Sequence, residues 1–209
     1  MIKFACFSPH PPLLLPSVGS EEDREKVKKT IESLEFLAKS FKKVNPDMIV
    51  ISSPHPDWGF NVPLHFLAKN FKGEIKTLLT GFESPEIHFG KGKKLYQEFK
   101  KNKTYALIAS GDLSHCLKED GPYGFHPQGP KFDKDLIEFL KKKDIENFLK
   151  LDEMYPEAGE CGLRSFSFLL GILEEARSTS SGQADWQTEI LSYEAPFGVG
   201  YLVVKFNLK

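Results

Sequence analysis

The sequence predicts an α/β fold, a three-layer α/β/α arrangement with helices on both faces of a central, mostly parallel (mixed) sheet. Short apolar runs that fit buried strands recur along the chain, and segments of helical period separate them. A third observation is length: 209 residues suffice for one sizeable core and favour a single domain spanning 1–209.

The elements follow in order. Ile2 to Phe7 is the first apolar run. Ser20 then stands as an N-cap before "EEDREKVKKTIESLEFLAKSFKKV", whose Val27, Ile31, Leu34, Leu37, Ala38 and Phe41 keep helical spacing. Met48 to Ser52 is the second strand. Leu64 to Phe71 and Ile75 to Leu79 are weaker strand candidates, too short to separate from helix by pattern. A helix is expected around Lys91 to Lys101, and "TYALIAS" is a third clear strand ending at Gly111. Lys118 to Pro130 is dense in Gly and Pro and reads as an ordered loop. Helical patterns resume at Phe132 to Lys142 and Ile145 to Leu151, then in "CGLRSFSFLLGILEEAR", where Gly162 falls near the start. Ser178 to Ala184 reads as a mobile surface loop. Two last strands, Thr188 to Tyr193 and Val199 to Asn207, complete the pattern.

Composition narrows the function classes. Lys plus Arg number 28 and Asp plus Glu 29, a balance that leaves no basic footprint for nucleic acid. No apolar run approaches the roughly 18 residues of a membrane-spanning helix. The N-terminus lacks the basic and apolar segments of a signal peptide. Cys6, Cys116 and Cys161 are too few and too scattered for a disulfide framework, so a reduced, cytoplasmic protein is expected.

Ligands of open α/β sheets collect beyond the carboxyl ends of the strands. His10 follows the first strand, His55 the second and His115 the third. If those strands lie side by side and parallel, the three imidazoles share one crevice. His10 and His55 each sit in a Ser-Pro-His-Pro stretch, where the prolines stiffen the backbone and stop both ladder and helix. One such stretch is equally well a strand-terminating turn with an incidental histidine. Two at equivalent places make a shared metal site the better reading. Imidazole suits Zn, Fe and Cu, so a third ligand has to choose among them. Glu160 and Cys161 are side by side in "YPEAGECGLRS". A carboxylate would complete the facial triad of Fe(II) oxygenases, and a thiolate would favour Zn or Cu. Each also has an ordinary reading: Glu160 as a first-turn carboxylate, Cys161 as a small buried hydrophobe.

Taken together, "FSPHPPLLLPSVG", "SSPHPD", "SGDLSH", "YGFHPQGPKFD", "ECGLRS" and "YEAPFGVGY" give a chain that resembles the catalytic chains of class III extradiol ring-cleavage dioxygenases and the related Memo-like proteins. The resemblance implies that His10 and His55 are metal ligands and that His115 is a second-sphere catalytic histidine. Ring-cleaving members use a glutamate as third ligand and Memo-like members a cysteine before a glycine. This chain offers both, and Glu160 is the expectation adopted, with Cys161 the alternative. The implied function is Fe(II)-dependent extradiol cleavage of a catechol or aminophenol by O₂, with Zn or Cu the other metals. His115 would exchange protons with the substrate, oriented by Asp112 and Ser114, with Asp112 equally suited to capping the turn after the strand. Tyr123 and His126 of the Gly/Pro loop are candidates to line the pocket, although a loop histidine such as His126 is more often simply exposed to solvent, and Arg164 would meet a substrate carboxylate or form a structural ion pair. The alternatives are a Memo-like metal-binding protein with a redox or interaction role, and a zinc hydrolase on the same site. The expected partners are a small aromatic substrate and O₂, with a homo-oligomer or a small partner subunit left open.

Overall fold

A computed structural model of the chain describes residues 1–179 and 185–209. Its strands are β1 (Ile2–Ser8), β2 (Met48–Ser53), β3 (Glu74–Leu79), β4 (Tyr105–Ser110), β5 (Trp186–Glu194) and β6 (Tyr201–Leu208). They form one six-stranded sheet in the order β3-β2-β4-β1-β6-β5. The first four in that order run parallel, and β6 and β5 are antiparallel additions at one side. The helices are α1 (Glu21–Lys26), α2 (Lys28–Val44), α3 (Trp58–Leu67), α4 (Pro85–Gln97), α5 (Gln128–Lys142), α6 (Ile145–Leu149), α7 (Leu151–Met154) and α8 (Leu163–Thr179).

Alternation along β1 builds the two cores. Ala5 and Phe7 face a cluster completed by Phe132, Leu136, Phe148, Phe166 and Leu170 from α5, α6 and α8. Phe4 and Cys6 face the other way, onto Leu34, Leu37 and Phe41 of α2 and Phe60 and Val62 of α3. Successive side chains of a strand point to opposite faces, so a strand buried on both sides is apolar along most of its length. That is why β1, β2 and β4 were legible as unbroken runs.

Several expectations need correcting. Leu64 to Phe71 is not a strand: its first half is the end of α3, which carries Pro63 in its interior. The long helix after Ser20 divides at Val27 (φ −116°, ψ 26°), although Ser20 caps α1 as expected by accepting from the Asp23 N–H. A helix start leaves first-turn N–H groups without partners inside the helix. Glu194 at the end of β5 meets one, accepting from both the N–H and the hydroxyl of Thr30 at 2.8 Å. α4 starts at Pro85, six residues before the expected Lys91. α5 begins inside the Gly/Pro loop, and the segment from Ile145 divides into α6 and α7. Ser178 and Thr179 extend α8, while the rest of the expected surface loop, 180–184, lies outside the described residues.

The pair α4–α8 packs backbone against backbone. A Cβ on Gly171 would lie 2.0 Å from the Phe89 carbonyl oxygen, and one on Gly92 would lie 2.0 Å from that of Phe168. Only two glycines allow this approach. Gly171→Ala is therefore expected to force the helices apart and cost about 1–3 kcal/mol, read as a lowered urea midpoint at unchanged slope.

Candidate metal centre

The register of the parallel strands sets the site. Ser8 of β1 and Ser53 of β2 end level with Ser110 of the central β4: Ser8 pairs with Ser110, and Ser52 with Ala109. Two residues beyond each strand end, that register brings His10 and His55 to either side of Asp112. The His10 backbone N–H donates to Asp112 Oδ1 at 3.0 Å, and the two imidazole centroids are 5.2 Å apart. Register and strand order thus bring His10 and His55 together beyond the carboxyl ends of β1 and β2.

The third side comes from the turn before α8. A Cβ on Gly111 would lie 2.2 Å from the Gly162 Cα, so the end of β4 and this turn touch through backbone alone. The Gly162 N–H donates to the Asp112 carbonyl at 2.9 Å and holds the contact. Cys161, one residue earlier, then receives the Asp112 N–H on its sulfur at 3.3 Å and stands 3.5 Å from His10 Nε2. Donor atoms of His10, His55 and Cys161 all lie within 4.8 Å of one another, as do those of Asp112, His115 and Cys161. Cys161 belongs to both groups.

Glu160 does not join them. Residues 160–162 precede α8 rather than opening it, and the Glu160 carboxylate folds back onto the helix. It accepts from the Leu163 N–H at 2.6 Å and from Arg164 Nη1 at 3.1 Å. Arg164 also donates to Asp152 and to the Glu83 carbonyl, so the structural ion pair is the arrangement found. Burial raises the Glu160 carboxyl to about 7, against the Leu163 N–H and Arg164 that pull it down. The expectation adopted for Glu160 thus finds a carboxylate committed to capping α8, with Cys161 in the crevice.

His115 has its backbone N–H on the Ala158 carbonyl and its ring centroid 5.0 Å from that of Tyr123. Its Nε2 is a buried nitrogen with no hydrogen-bond partner among the described residues. Burial pushes its pKa down, opposed by Asp112, so the ring is neutral at pH 7 and able to take a proton. Burial also raises Asp112, to about 6. Ser114 does not hold the His115 ring: its hydroxyl donates to the Ala158 carbonyl. His126 stands apart from both donor groups, its Nδ1 accepting from the Gln128 N–H.

Two contributors escaped the sequence reading. Ser110, the last residue of β4, hydrogen-bonds His10 Nδ1 at 2.9 Å. Asp133 of α5, fully within the core, accepts from the Ser114 N–H and the Tyr193 hydroxyl and so clamps the segment carrying Asp112 and His115. The only signal for Asp133 was a carboxylate flanking the apolar stripe Phe132, Leu136, Leu140.

The donor set fits a transition metal. Burial holds the Cys161 thiol well above its ordinary pKa, and burial followed by the neighbouring His55 lowers His10 to about 3. At neutral pH the crevice therefore presents a neutral imidazole and a protonated thiol, and a metal ion would replace the thiol proton. In mildly alkaline solution that thiol proton is the one displaced on binding. Zn(II) affinity measured by chelator competition should then rise about tenfold per pH unit. In Cys161→Ser the slope should fall toward zero.

Fold and site together define a class: an open α/β sheet with histidine, thiol and carboxylate donors gathered outside the carboxyl ends of its parallel strands. The chain belongs to the family described as the catalytic LigB subunit of aromatic ring-opening dioxygenase, whose family model matches residues 54–204. It is 31% identical, over a 273-residue alignment, to the protein CA_C1420 of Clostridium acetobutylicum. That alignment takes in 95% of this chain and 56% of the relative, so the chain spans little more than half of that protein's length. The crystal structure of the uncharacterized protein JW3007 from Escherichia coli K12 shares the fold, with a TM-score of 0.62, 15% identity, and 97% and 99% of the two chains covered. No helix among the described residues is long and apolar enough to cross a membrane.

Proposed function

We propose that this protein is a metal-dependent oxidoreductase of Memo-like type, holding one transition-metal ion between His10, His55 and Cys161. The observation that carries the reading is the exchange of roles between neighbours: the Cys161 sulfur is 3.5 Å from His10 Nε2, while the Glu160 carboxylate caps α8. Two imidazoles and a thiolate are a softer set than two imidazoles and a carboxylate, and favour Zn or Cu over Fe(II). When bound, either ion would supply Lewis-acid chemistry, and copper alone of the two would also supply redox chemistry. The chain supplies the rest. His10 and His55 orient the centre on proline-stiffened turns, Asp112 adds a buried negative charge beside it, and His115 offers a neutral nitrogen as proton acceptor.

A second reading, ring opening of a small aromatic substrate by O₂, is favoured by two exposed rings flanking the donors. Trp58 lies 5.3 Å from His55 and Tyr123 lies 5.0 Å from His115, centroid to centroid, and both face solvent. Anaerobic loading of the metal-free protein with Fe(II), Zn(II) or Cu(I), followed by oxygen-electrode assays on catechol, protocatechuate and aminophenol, separates the two. The Memo-like reading expects tight Zn or Cu uptake and no oxygen consumption on these substrates. Stable Fe(II) with substrate-dependent oxygen uptake would replace it with ring cleavage.

A further inference from the structure

Pro63 sits inside α3 and has no N–H to give the carbonyl four residues back. That carbonyl belongs to Gly59. It is met from another element: Ser110 Oγ, at the end of β4, donates to Gly59 O at 2.5 Å. A carbonyl can only accept, and a serine hydroxyl has one proton. The Ser110 proton is therefore committed to Gly59. The second contact of the same oxygen, 2.9 Å from His10 Nδ1, must then be one in which the imidazole donates. A neutral imidazole carries a single N–H. With it on Nδ1, Nε2 is left with a bare lone pair, 3.5 Å from the Cys161 sulfur.

We propose that Pro63, Gly59 and Ser110 form a relay that sets the tautomer of His10, so that its Nε2 presents a lone pair at the metal position. Ser110 is a positioning residue, and Pro63 is the origin of the relay because it frees the carbonyl that orients the hydroxyl. His10 is 2% exposed and Ser110 is fully buried, so bulk water does not compete for either contact. Gly59 follows His55 by four residues, so the same hydroxyl also ties together the two segments that carry the histidines. The role toward a metal rests on the His10–His55–Cys161 reading above, but the tautomer does not.

Long-range ¹H–¹⁵N NMR of the histidine rings in the metal-free protein at pH 8 tests the relay directly. Wild type should show His10 as the Nδ1–H form. Ser110→Ala should move it toward the Nε2–H form that unconstrained imidazoles favour, and lower Zn(II) affinity about 10- to 100-fold with all three donors present. Ser110→Thr keeps the hydroxyl and should restore both. Pro63→Ala gives Gly59 a helical donor of its own, and should shift the tautomer in the same direction without touching His10. An Nδ1–H form that persists in both Ser110→Ala and Pro63→Ala overturns the proposal, even if metal affinity falls. Absence of Zn(II) binding in the wild type would instead count against the metal-site reading, and the ring spectra would still decide the relay.

Discussion

Cys161→Ala is expected to lower Zn(II) affinity by about two to three orders of magnitude, while Glu160→Gln leaves it within a few-fold of wild type. The size follows from the free energy of structural zinc sites, about 10–16 kcal/mol shared over four ligands. One ligand is then worth about 2.5–4 kcal/mol, and 1.4 kcal/mol is a factor of ten. The contrast follows from where the two side chains point. Cys161 shares a 4.8 Å donor group with His10 and His55, whereas both Glu160 oxygens are already engaged, one by the Leu163 N–H and the other by Arg164. Chelator competition on the two variants gives opposite orders for the two candidate ligands. Loss of binding in Glu160→Gln with retention in Cys161→Ala would restore the carboxylate centre.

His115→Phe should retain the metal and lose about 10²- to 10⁴-fold in the rate of whatever proton-coupled oxidation the centre performs, the usual worth of a positioned acid–base group. His115 stands in the second donor group, with Asp112 and Cys161, and not in the one containing His10 and His55. Among the described residues, its unpartnered Nε2 is the one buried ring nitrogen near the centre that an incoming hydroxyl can meet without displacing a protein hydrogen bond. Metal content and single-turnover rate, measured on the same preparation, check this. A fall in metal content matching the fall in rate would make His115 a ligand.

How much of this was legible depended on whether a residue's role followed from its own element. β1, β2 and β4 were readable because burial on both faces favours a near-continuous apolar run up to their terminal serines. Their parallel neighbour relation then brought His10, His55 and the segment ending in His115 to one edge. α3 was hidden because Pro63 argues against a helix interior, and the donor that compensates it, Ser110, lies forty-seven positions further on. α4 was read too far along the chain, at Lys91 to Lys101 instead of Pro85–Gln97, because Gly90 and Gly92 weaken the helical pattern, although the Gly92 contact with Phe168 is what lets α8 approach. The pair Glu160-Cys161 could not be resolved by helical geometry, since neither residue is in the helix. What turns Cys161 inward is the Gly111–Gly162 contact, a relation between residues fifty-one positions apart.

X-ray absorption fine structure of the zinc-loaded protein at the zinc K edge reads the ligands of the bound ion directly. The His10–His55–Cys161 centre predicts one sulfur scatterer at about 2.3 Å alongside imidazole nitrogens at about 2.0–2.1 Å, with the sulfur shell lost in Cys161→Ser. A shell of nitrogen and oxygen alone in the wild-type protein would contradict it.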